Sequence, residues 1–321
     1  MVSFSTSASN TSQAPGRSVS GLVLVDKPTG WTSHDVVAKL RKLAGTRKVG
    51  HAGTLDPMAT GLLVVGFNKA TRLLTHITGT NKTYAATIRL GVNTTTDDAD
   101  GEVIHRRYAN AVTRDRLEVA IAELTGEIDQ IPSAVSAIKV GGKRAYQRVR
   151  DGEKIELPAR RVTVSRFKVT GVHRLDKGKI LDIEVAIDCS SGTYIRALAR
   201  DLGESLNTGG HLIALRRTRV GPFTIDKAHT IEQLGSRFDY CELSQACSEL
   251  FPVREVCDHE AEALSFGRLV SPNDDDRCYA ARHGGDTVIA LIENARTKTG
   301  YGAKPQVVFV TDYRIHTEGE A

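Results

Sequence analysis

The stretch that decides the fold is Gly50-His51-Ala52-Gly53-Thr54-Leu55-Asp56-Pro57-Met58-Ala59-Thr60-Gly61, which lies between two apolar segments. Glycine permits backbone angles that other residues avoid, whereas Pro57 fixes its own φ and keeps Asp56 out of the helical region. The pattern therefore predicts a loop that points a single carboxylate in a set direction. Taken alone, the Asp-Pro dipeptide is more often an ordinary turn.

Apolar patterning on both sides of this loop predicts a mixture of strands and helices. A strand over 22–25 leads into a helix that Thr32 or Ser33 caps, and residues 62–65 form a buried strand after the loop. Further strands are predicted over 84–90, 134–140, 162–172, 181–189 and 216–223, with helices over 70–77, 113–126 and 194–206. Because strands and helices do not alternate regularly, the fold class is α+β.

Composition sets the domain count and the class of protein. A chain of 321 residues can form one large core and a smaller accessory domain, and no apolar run approaches the ~20 residues of a membrane span. We expect a disordered tail over 1–19, a catalytic domain over 20–250 and a small, mostly β domain over 251–321. Within the catalytic domain, a polar loop over 93–101 is long enough to suggest a function, and 226–249 form a weakly patterned connector.

Charge is divided unevenly between the two domains. Residues 255–321 carry 7 Lys+Arg and 12 Asp+Glu, a net −5, and because the whole chain carries +5, residues 1–254 carry +10. The basic residues form clusters, which suit a phosphate backbone, although any single cluster is more often a solvated surface. The clusters are Arg41, Lys42, Arg47 and Lys48; Lys143, Arg144, Arg148 and Arg150; Arg160 and Arg161; and Arg216, Arg217 and Arg219.

Several classes of site find no support in the sequence. It contains no phosphate-binding loop, no dinucleotide fingerprint, no H-E-x-x-H and no clustered set of metal ligands, so we expect neither a nucleotide cofactor nor a metal. The five cysteines are irregularly spaced without a C-x-x-C pair, and the N-terminus lacks the features of a signal peptide. We therefore expect a protein of the reducing cytoplasm that does not enter a membrane.

The motifs of the chain, taken in order, resemble those of the TruB family of tRNA pseudouridine synthases. They are Asp26-Lys27-Pro28 with Gly30-Trp31-Thr32-Ser33, the Gly50 to Gly61 loop, Lys82-Thr83-Tyr84, Gly192-Thr193-Tyr194-Ile195-Arg196 and Leu215-Arg216-Arg217-Thr218. The resemblance covers about residues 20–225. It implies a pseudouridine synthase fold, in which helices flank a mixed, mainly antiparallel central sheet, followed by a PUA-like C-terminal domain that here is only faintly similar and is acidic.

The resemblance also implies roles for individual residues. Asp56 is the expected nucleophile, Arg196 its charge partner, and Tyr84 the aromatic residue against the uracil and the candidate base. His51 is expected to fill the space that the nucleotide vacates. It also implies that Lys27, Tyr194 and Leu215 support or line the pocket and that Arg72 and Asp98 are RNA contacts or loop anchors. The basic clusters add Arg144, Arg148, Arg216 and Arg217 as candidate RNA contacts.

The implied reaction converts uridine 55 in the T arm of tRNA into pseudouridine, without cofactor, by a chain that we expect to be a monomer. A base inside a stem-loop must be flipped out before it can react, and phosphate contacts offset that cost. An RNA chaperone that uses the same basic surface, and a guide-dependent synthase in a ribonucleoprotein, are alternatives. Burial of Asp56 would raise its pKa and Arg196 would lower it, so the sequence leaves the direction open.

Overall fold

The strands on either side of the Asp56 loop lie at the centre of a large sheet. The computed structural model describes residues 19–133, 139–140, 143–144, 157–298, 300–311 and 313. In chain order the strands are β1 (Gly21–Lys27), β2 (Val49–His51), β3 (Thr60–Phe67), β4 (Lys82–Leu90), β5 (Val92–Thr94), β6 (Val103–Arg106), β7 (Gly126–Gln130), β8 (Lys139–Val140), β9 (Lys143–Arg144), β10 (Arg160–Leu175), β11 (Ile180–Cys189), β12 (Gly210–Val220), β13 (Phe223–Thr224), β14 (Cys241–Glu242), β15 (Val253–Glu255), β16 (Tyr279–His283), β17 (Thr287–Thr297) and β18 (Gly300–Val308).

The helices lie between these strands. They are α1 (Ser33–Leu43), α2 (Leu74–Thr78), α3 (Arg114–Glu123), α4 (Ile195–Ser205), α5 (Ile231–Ser236), α6 (Leu243–Leu250) and α7 (Asp258–Ser265), with 3-10 turns over Asn68–Leu73, Asp176–Gly178 and Ile225–Lys227. None of the helices in the described ranges is long and apolar enough to cross a membrane.

The central sheet has the order β14-β1-β3-β12-β4-β11-β10-β7, with β2 added to β3 and β13 to β12. Its neighbours pair antiparallel except β12 and β3, which run parallel where Arg216 and Arg217 face Thr60 and Gly61. This confirms the α+β fold with a mixed, mainly antiparallel sheet. The parallel pair places the end of the Asp56 loop directly beside β12.

Helix α1 follows its sequence pattern closely. Thr32 is the N-cap, with its side chain accepting from the Asp35 backbone N–H and Asp35 accepting in return from Thr32, which is a capping box. Val36, Val37 and Leu40 form the buried face. The helix therefore packs firmly against the sheet and fixes the position of the residues around Lys27.

Two predictions for the catalytic domain were incomplete. The connector over 226–249 contains α5 and most of α6, and β12 begins at Gly210 rather than at residue 216. In both places the apolar residues are few and lie within a polar stretch. The elements form there because those residues pack against the sheet, and the local sequence pattern does not reveal such packing. Of the strand predicted over 134–140, residues 134–138 lie outside the described residues.

The C-terminal residues form a second sheet of order β15-β16-β17-β18, which confirms a mostly β C-terminal region. Its apolar face is continuous with the main core, because Ala280, Leu291 and Phe309 belong to one buried cluster with Leu22 and Leu62. The two sheets therefore share a core at their junction.

Candidate active site

The backbone of the Asp56 loop is held in place by a buried lysine. Lys27, fully buried at the end of β1, donates from Nζ to the carbonyl oxygens of Pro28 (2.9 Å), Trp31 (2.7 Å) and Pro57 (3.3 Å). The backbone N–H of Gly30 also donates to the Pro57 carbonyl at 2.8 Å. Burial lowers the pKa of Lys27 to about 8, while the nearby Asp56 carboxylate opposes this shift. Lys27 thus joins β1 to the residue that follows the candidate nucleophile.

Ser33 anchors the residue that precedes Asp56. Its buried hydroxyl donates to the Leu55 carbonyl at 3.2 Å and accepts from the Leu55 N–H at 2.9 Å. Sequence reasoning treated Ser33 as a helix cap and missed this contact. The signal was present, because two adjacent hydroxyl residues stand at the start of α1 and a helix uses only one N-cap.

The buried side chain of Arg217 also holds the backbone of the Asp56 loop. Its side chain, in a residue only 1% exposed, donates to the carbonyl oxygens of Gly53 (3.0 Å), Thr54 (3.3 Å) and Leu62 (2.8 Å). The sequence suggested an RNA contact for Arg217, but this placement leaves the guanidinium no surface toward a ligand. Arg217 and the apolar Leu215 are two residues apart in β12, so their side chains lie on the same face of the sheet. This spacing indicates that the Arg217 side chain points inward.

The carboxylate of Asp56 faces Arg196, as the resemblance implied. Arg196, on the first turn of α4, places Nε 3.0 Å from Oδ2 of Asp56 and Nη1 3.2 Å from Oδ2 of Asp98. The Arg196 and Asp98 side chains are each 6% exposed, whereas that of Asp56 is 35% exposed. Asp98 therefore holds the Arg196 guanidinium on its buried side, and Asp56 binds the same guanidinium on the side toward solvent. Asp98 acts as an anchor here.

The pKa of Asp56 is raised above its ordinary value. Burial is the largest cause and the neighbouring Asp98 adds to it, whereas Arg196 and Lys27 work in the opposite direction. Burial thus prevails over pairing, which answers the question that the sequence left open. Above that pKa the side chain is an ionised carboxylate with one face toward solvent, and such a group can act as a nucleophile.

Tyr84 and Leu215 lie next to the loop in the sheet. Tyr84 is paired with Arg217 across β4 and β12, and both Tyr84 and Leu215 are buried. Burial raises the pKa of the Tyr84 phenol, although Arg217 opposes the shift. The phenol is accordingly neutral near pH 7, which fits a stacking role more directly than a basic one.

His51 and Tyr194 border the same site. The His51 ring lies edge-on to His34 with centroids 5.9 Å apart, and its buried Nδ1 has no hydrogen-bond partner of ordinary geometry among the described residues. Burial, His34 and Arg217 lower the pKa of His51. Tyr194 is the N-cap of α4, and the Gln130 side chain pairs with its backbone N–H (2.8 Å) and carbonyl (3.1 Å). Gln130 was missed in the sequence because its contact is 64 residues away.

The other candidate RNA contacts have different surroundings. Arg72 donates to the Val308 carbonyl, and Arg216 binds Asp26 through Nη2 at 2.7 Å while 42% of its side chain stays exposed. Arg144 is in β9, but its side chain and all of Arg148 lie outside the described residues. Four exposed cations lie between α1 and β2: Arg41 and Lys42 in the last turn of α1, and Arg47 and Lys48 just before β2.

Across the described ranges, no group of three or more His, Cys, Asp or Glu side chains is arranged to hold a metal ion. The arrangement of an ionisable carboxylate, a fixed arginine and a buried tyrosine supports nucleophilic or acid–base chemistry by the side chains themselves.

Comparison with known proteins identifies related chains. A family model described as the N-terminal domain of TruB family pseudouridylate synthase matches residues 41–195, and one described as the C-terminal domain of tRNA pseudouridylate synthase B matches residues 196–250. The tRNA pseudouridine synthase B of Arthrobacter sp. (strain FB24) is 58% identical over 300 residues, or 91% of this chain and 97% of that protein. That of Thermobifida fusca (strain YX) is 52% identical over 291 residues, covering 90% and 98%.

Solved structures share the same fold. A chain of a Cbf5-Nop10-Gar1 complex superposes with a TM-score of 0.69 and 26% identity, covering 91% of this chain and 86% of its own. A chain of an H/ACA RNP bound to a substrate RNA containing 2′-deoxyuridine gives a TM-score of 0.68 with 24% identity, covering 92% and 87%.

Proposed function

Because the chain belongs to the TruB family and is an isomerase that converts uridine to pseudouridine in tRNA, we propose that Asp56 is its nucleophile and that the target is uridine 55 in the T arm. The observation that carries the assignment of Asp56 is its contact with Arg196 in a loop fixed by Lys27, Ser33 and Arg217. Preorganisation of this kind lowers the cost of reaching a reactive geometry.

The proposed reaction needs no co-reactant. Ionised Asp56 bonds to the flipped-out nucleotide, at C6 of the base or C1′ of the ribose, while the N1–C1′ bond breaks. The base turns and a C5–C1′ bond forms, after which the C5 proton is lost and N1 gains a proton. Asp56 leaves unchanged, so atoms and charge balance. Tyr84 contacts the uracil and is the candidate base for the C5 proton, and Leu215 contributes the apolar wall.

Surface charge supports binding of an RNA stem-loop next to this site. The exposed cations Arg41, Lys42, Arg47 and Lys48 precede β2, which leads directly to His51 and the Asp56 loop. Phosphate contacts there would offset the unstacking cost of a few kcal/mol for flipping the uridine. We propose that a single chain acts on naked tRNA, and that the C-terminal sheet is a PUA-like domain.

Replacing Asp56 with Asn tests the assignment. We expect Asp56→Asn to abolish pseudouridine formation in T-arm RNA while the affinity for tRNA stays within about threefold, because the amide has nearly the same shape but is not a nucleophile. Single-turnover product analysis and a binding titration on the same preparation measure both effects. Product formation by the Asn variant would contradict the role of Asp56.

Two further measurements separate the alternatives. Restoration of tRNA folding in a deletion strain by Asp56→Asn would show a chaperone function that coexists with catalysis. Activity of the purified chain on tRNA without a guide RNA would exclude the guide-dependent reading. Mapping pseudouridine in tRNA from cells with and without the protein would test position 55.

A further inference from the structure

A second arginine on α4 repeats the arrangement of the catalytic pair one helical turn further on. Arg200 places Nη1 3.1 Å from Oδ2 of Asp97, and the two side chains are 18% and 15% exposed. Residues four apart lie on one face of a helix. Arg196 and Arg200 therefore meet two consecutive carboxylates, Asp98 and Asp97, in the turn between β5 and β6.

The backbone at Asp97 has an unusual conformation that is held against β12. Its φ is +60°, in the left-handed region, which Asp and Asn adopt more readily than most other non-glycine residues. Its carbonyl accepts from the Leu212 N–H at 3.0 Å, which fixes the turn to β12. The Asp97 carboxylate therefore reaches Arg200 from a turn whose backbone is fixed to β12.

Arg200 is fully occupied by contacts within the protein. Besides Asp97, its guanidinium binds Asp201 at 2.7 Å and donates to the carbonyl of Ile131 at 2.7 Å. Glu204 is a further charged neighbour on the same helix. The planar guanidinium, with five N–H donors in fixed directions, holds all three partners at once. The side chain is therefore built into the scaffold and is not a free cation for RNA.

We infer that Asp97 and Arg200 are positioning residues for the nucleophile, because they hold the turn that keeps Asp98 on Arg196 and so keeps Arg196 on Asp56. The Arg196 and Arg200 contacts are connected through the turn. Arg196 also donates from Nη1 to the carbonyl of Thr96 at 3.2 Å, and Thr96 directly precedes Asp97. The inference rests on the proposed function of Asp56. Neither Asp97 nor Arg200 is assigned contact with the substrate.

Loss of this pair has a specific electrostatic consequence. The charged and titratable groups that face Asp56 are Arg196, Asp98, Lys27 and Tyr84. Among them Asp98 raises the pKa of Asp56 and competes for Arg196. If the turn is released, Arg196 loses its anchor and no longer holds Asp56, and because Arg196 acts on Asp56 more strongly than Asp98 does, the pKa of Asp56 rises. Activity then drops and is lost at higher pH than in the wild type.

The test uses Arg200→Gln and Asp97→Asn in single-turnover assays on naked tRNA. Asn tolerates φ above zero, so Asp97→Asn removes the charge alone. We expect kcat to fall about 10- to 100-fold with KM within about threefold, because small misplacement of reacting groups has effects of this size. The acidic limb of the pH profile should move to higher pH. The double variant should be no slower than the slower single one, since both changes break one network.

Controls separate positioning from stability. The Arg254–Glu260 pair of the C-terminal sheet is matched in burial, with side chains 18% and 19% exposed, so Arg254→Gln should cost similar stability without changing kcat or the pH profile. Asp97→Gly removes the charge but relieves the φ strain, and it decides the matter if Arg200→Gln fails to fold. Wild-type kcat and an unmoved acidic limb in Arg200→Gln, Asp97→Asn and Asp97→Gly, with Asp56→Asn inactive, would overturn the inference alone. An active Asp56→Asn would overturn the proposed function itself.

Discussion

At the scale of single residues, the site depends on which charges are buried and how they are satisfied. Lys27 and Arg217 are both inside the protein, and each donates to main-chain carbonyls around Asp56. A buried charge is costly unless it is hydrogen-bonded. These side chains therefore stabilise one loop conformation, and the charge of Lys27 also favours the ionised form of Asp56.

The raised pKa of Asp56 predicts the acid limit of activity. As pH falls through that pKa, the carboxylate is protonated and can no longer attack, so the rate should fall with an inflection above the ordinary Asp value of 3.8. Single-turnover rates, measured at saturating tRNA from below the ordinary Asp pKa up to neutral pH, report this inflection. Circular dichroism and tRNA binding at each pH serve as controls. An inflection at or below 3.8, with the protein folded, would show that Arg196 outweighs burial.

At the scale of elements, one close approach between β3 and β12 fixes the end of the Asp56 loop. Gly61 has a φ of +100°, and a Cβ on it would lie 2.3 Å from the carbonyl oxygen of Arg217. No side chain fits at that distance. The short parallel pairing of these strands therefore requires glycine, and it brings the loop within reach of the Arg217 guanidinium.

Gly61→Ala should consequently destabilise the protein by about 2–4 kcal/mol through strain and backbone displacement. Its matched control is Gly267→Ala, because Gly267 has a φ of +75° but nothing within 4 Å of an added Cβ. That variant carries only the backbone cost, about 1 kcal/mol. Urea unfolding of both variants measures the difference. An equal loss of unfolding free energy in the two variants would mean that β3 and β12 move apart without cost.

At the scale of the whole molecule, the two sheets are coupled through a common apolar cluster. Phe309, at the end of β18, is 1% exposed and packs in the cluster that includes Leu22 of β1 and Leu62 of β3. Helix α6 lies at this junction and contributes Ala246 and Cys247. The C-terminal region therefore supports the catalytic sheet as well as its own fold.

Phe309→Ala should lower the unfolding free energy by about 3–5 kcal/mol, because a large buried ring is removed from a packed core. Unfolding should remain a single transition when followed by far-UV circular dichroism and by calorimetry. The control is Phe266→Ala, since Phe266 is 46% exposed and its loss should cost no more than about 0.5 kcal/mol. Two separate transitions in Phe309→Ala would indicate independent domains.

Local patterns in the sequence predicted the elements because helix and strand periodicity, caps and glycine turns act over a few residues. They gave β1, α1, β3, β4, β10, β11 and α4 close to their observed places, together with the loop that carries Asp56. They also indicated an RNA-modifying family, since its motifs are contiguous. They were weakest between 226 and 249, where helix formation depends on packing.

The sequence by itself therefore determined most of the elements around the site, the family and the nucleophile candidate. Only the tertiary structure decided that Arg217 is buried while the adjacent Arg216 is 42% exposed, that Asp98 anchors Arg196, and that Ser33 binds Leu55. It also decided that the pKa of Asp56 is shifted upward from its ordinary value. These outcomes depend on sheet register and on the packing of residues far apart in the chain, and such packing sets how well each charge is solvated.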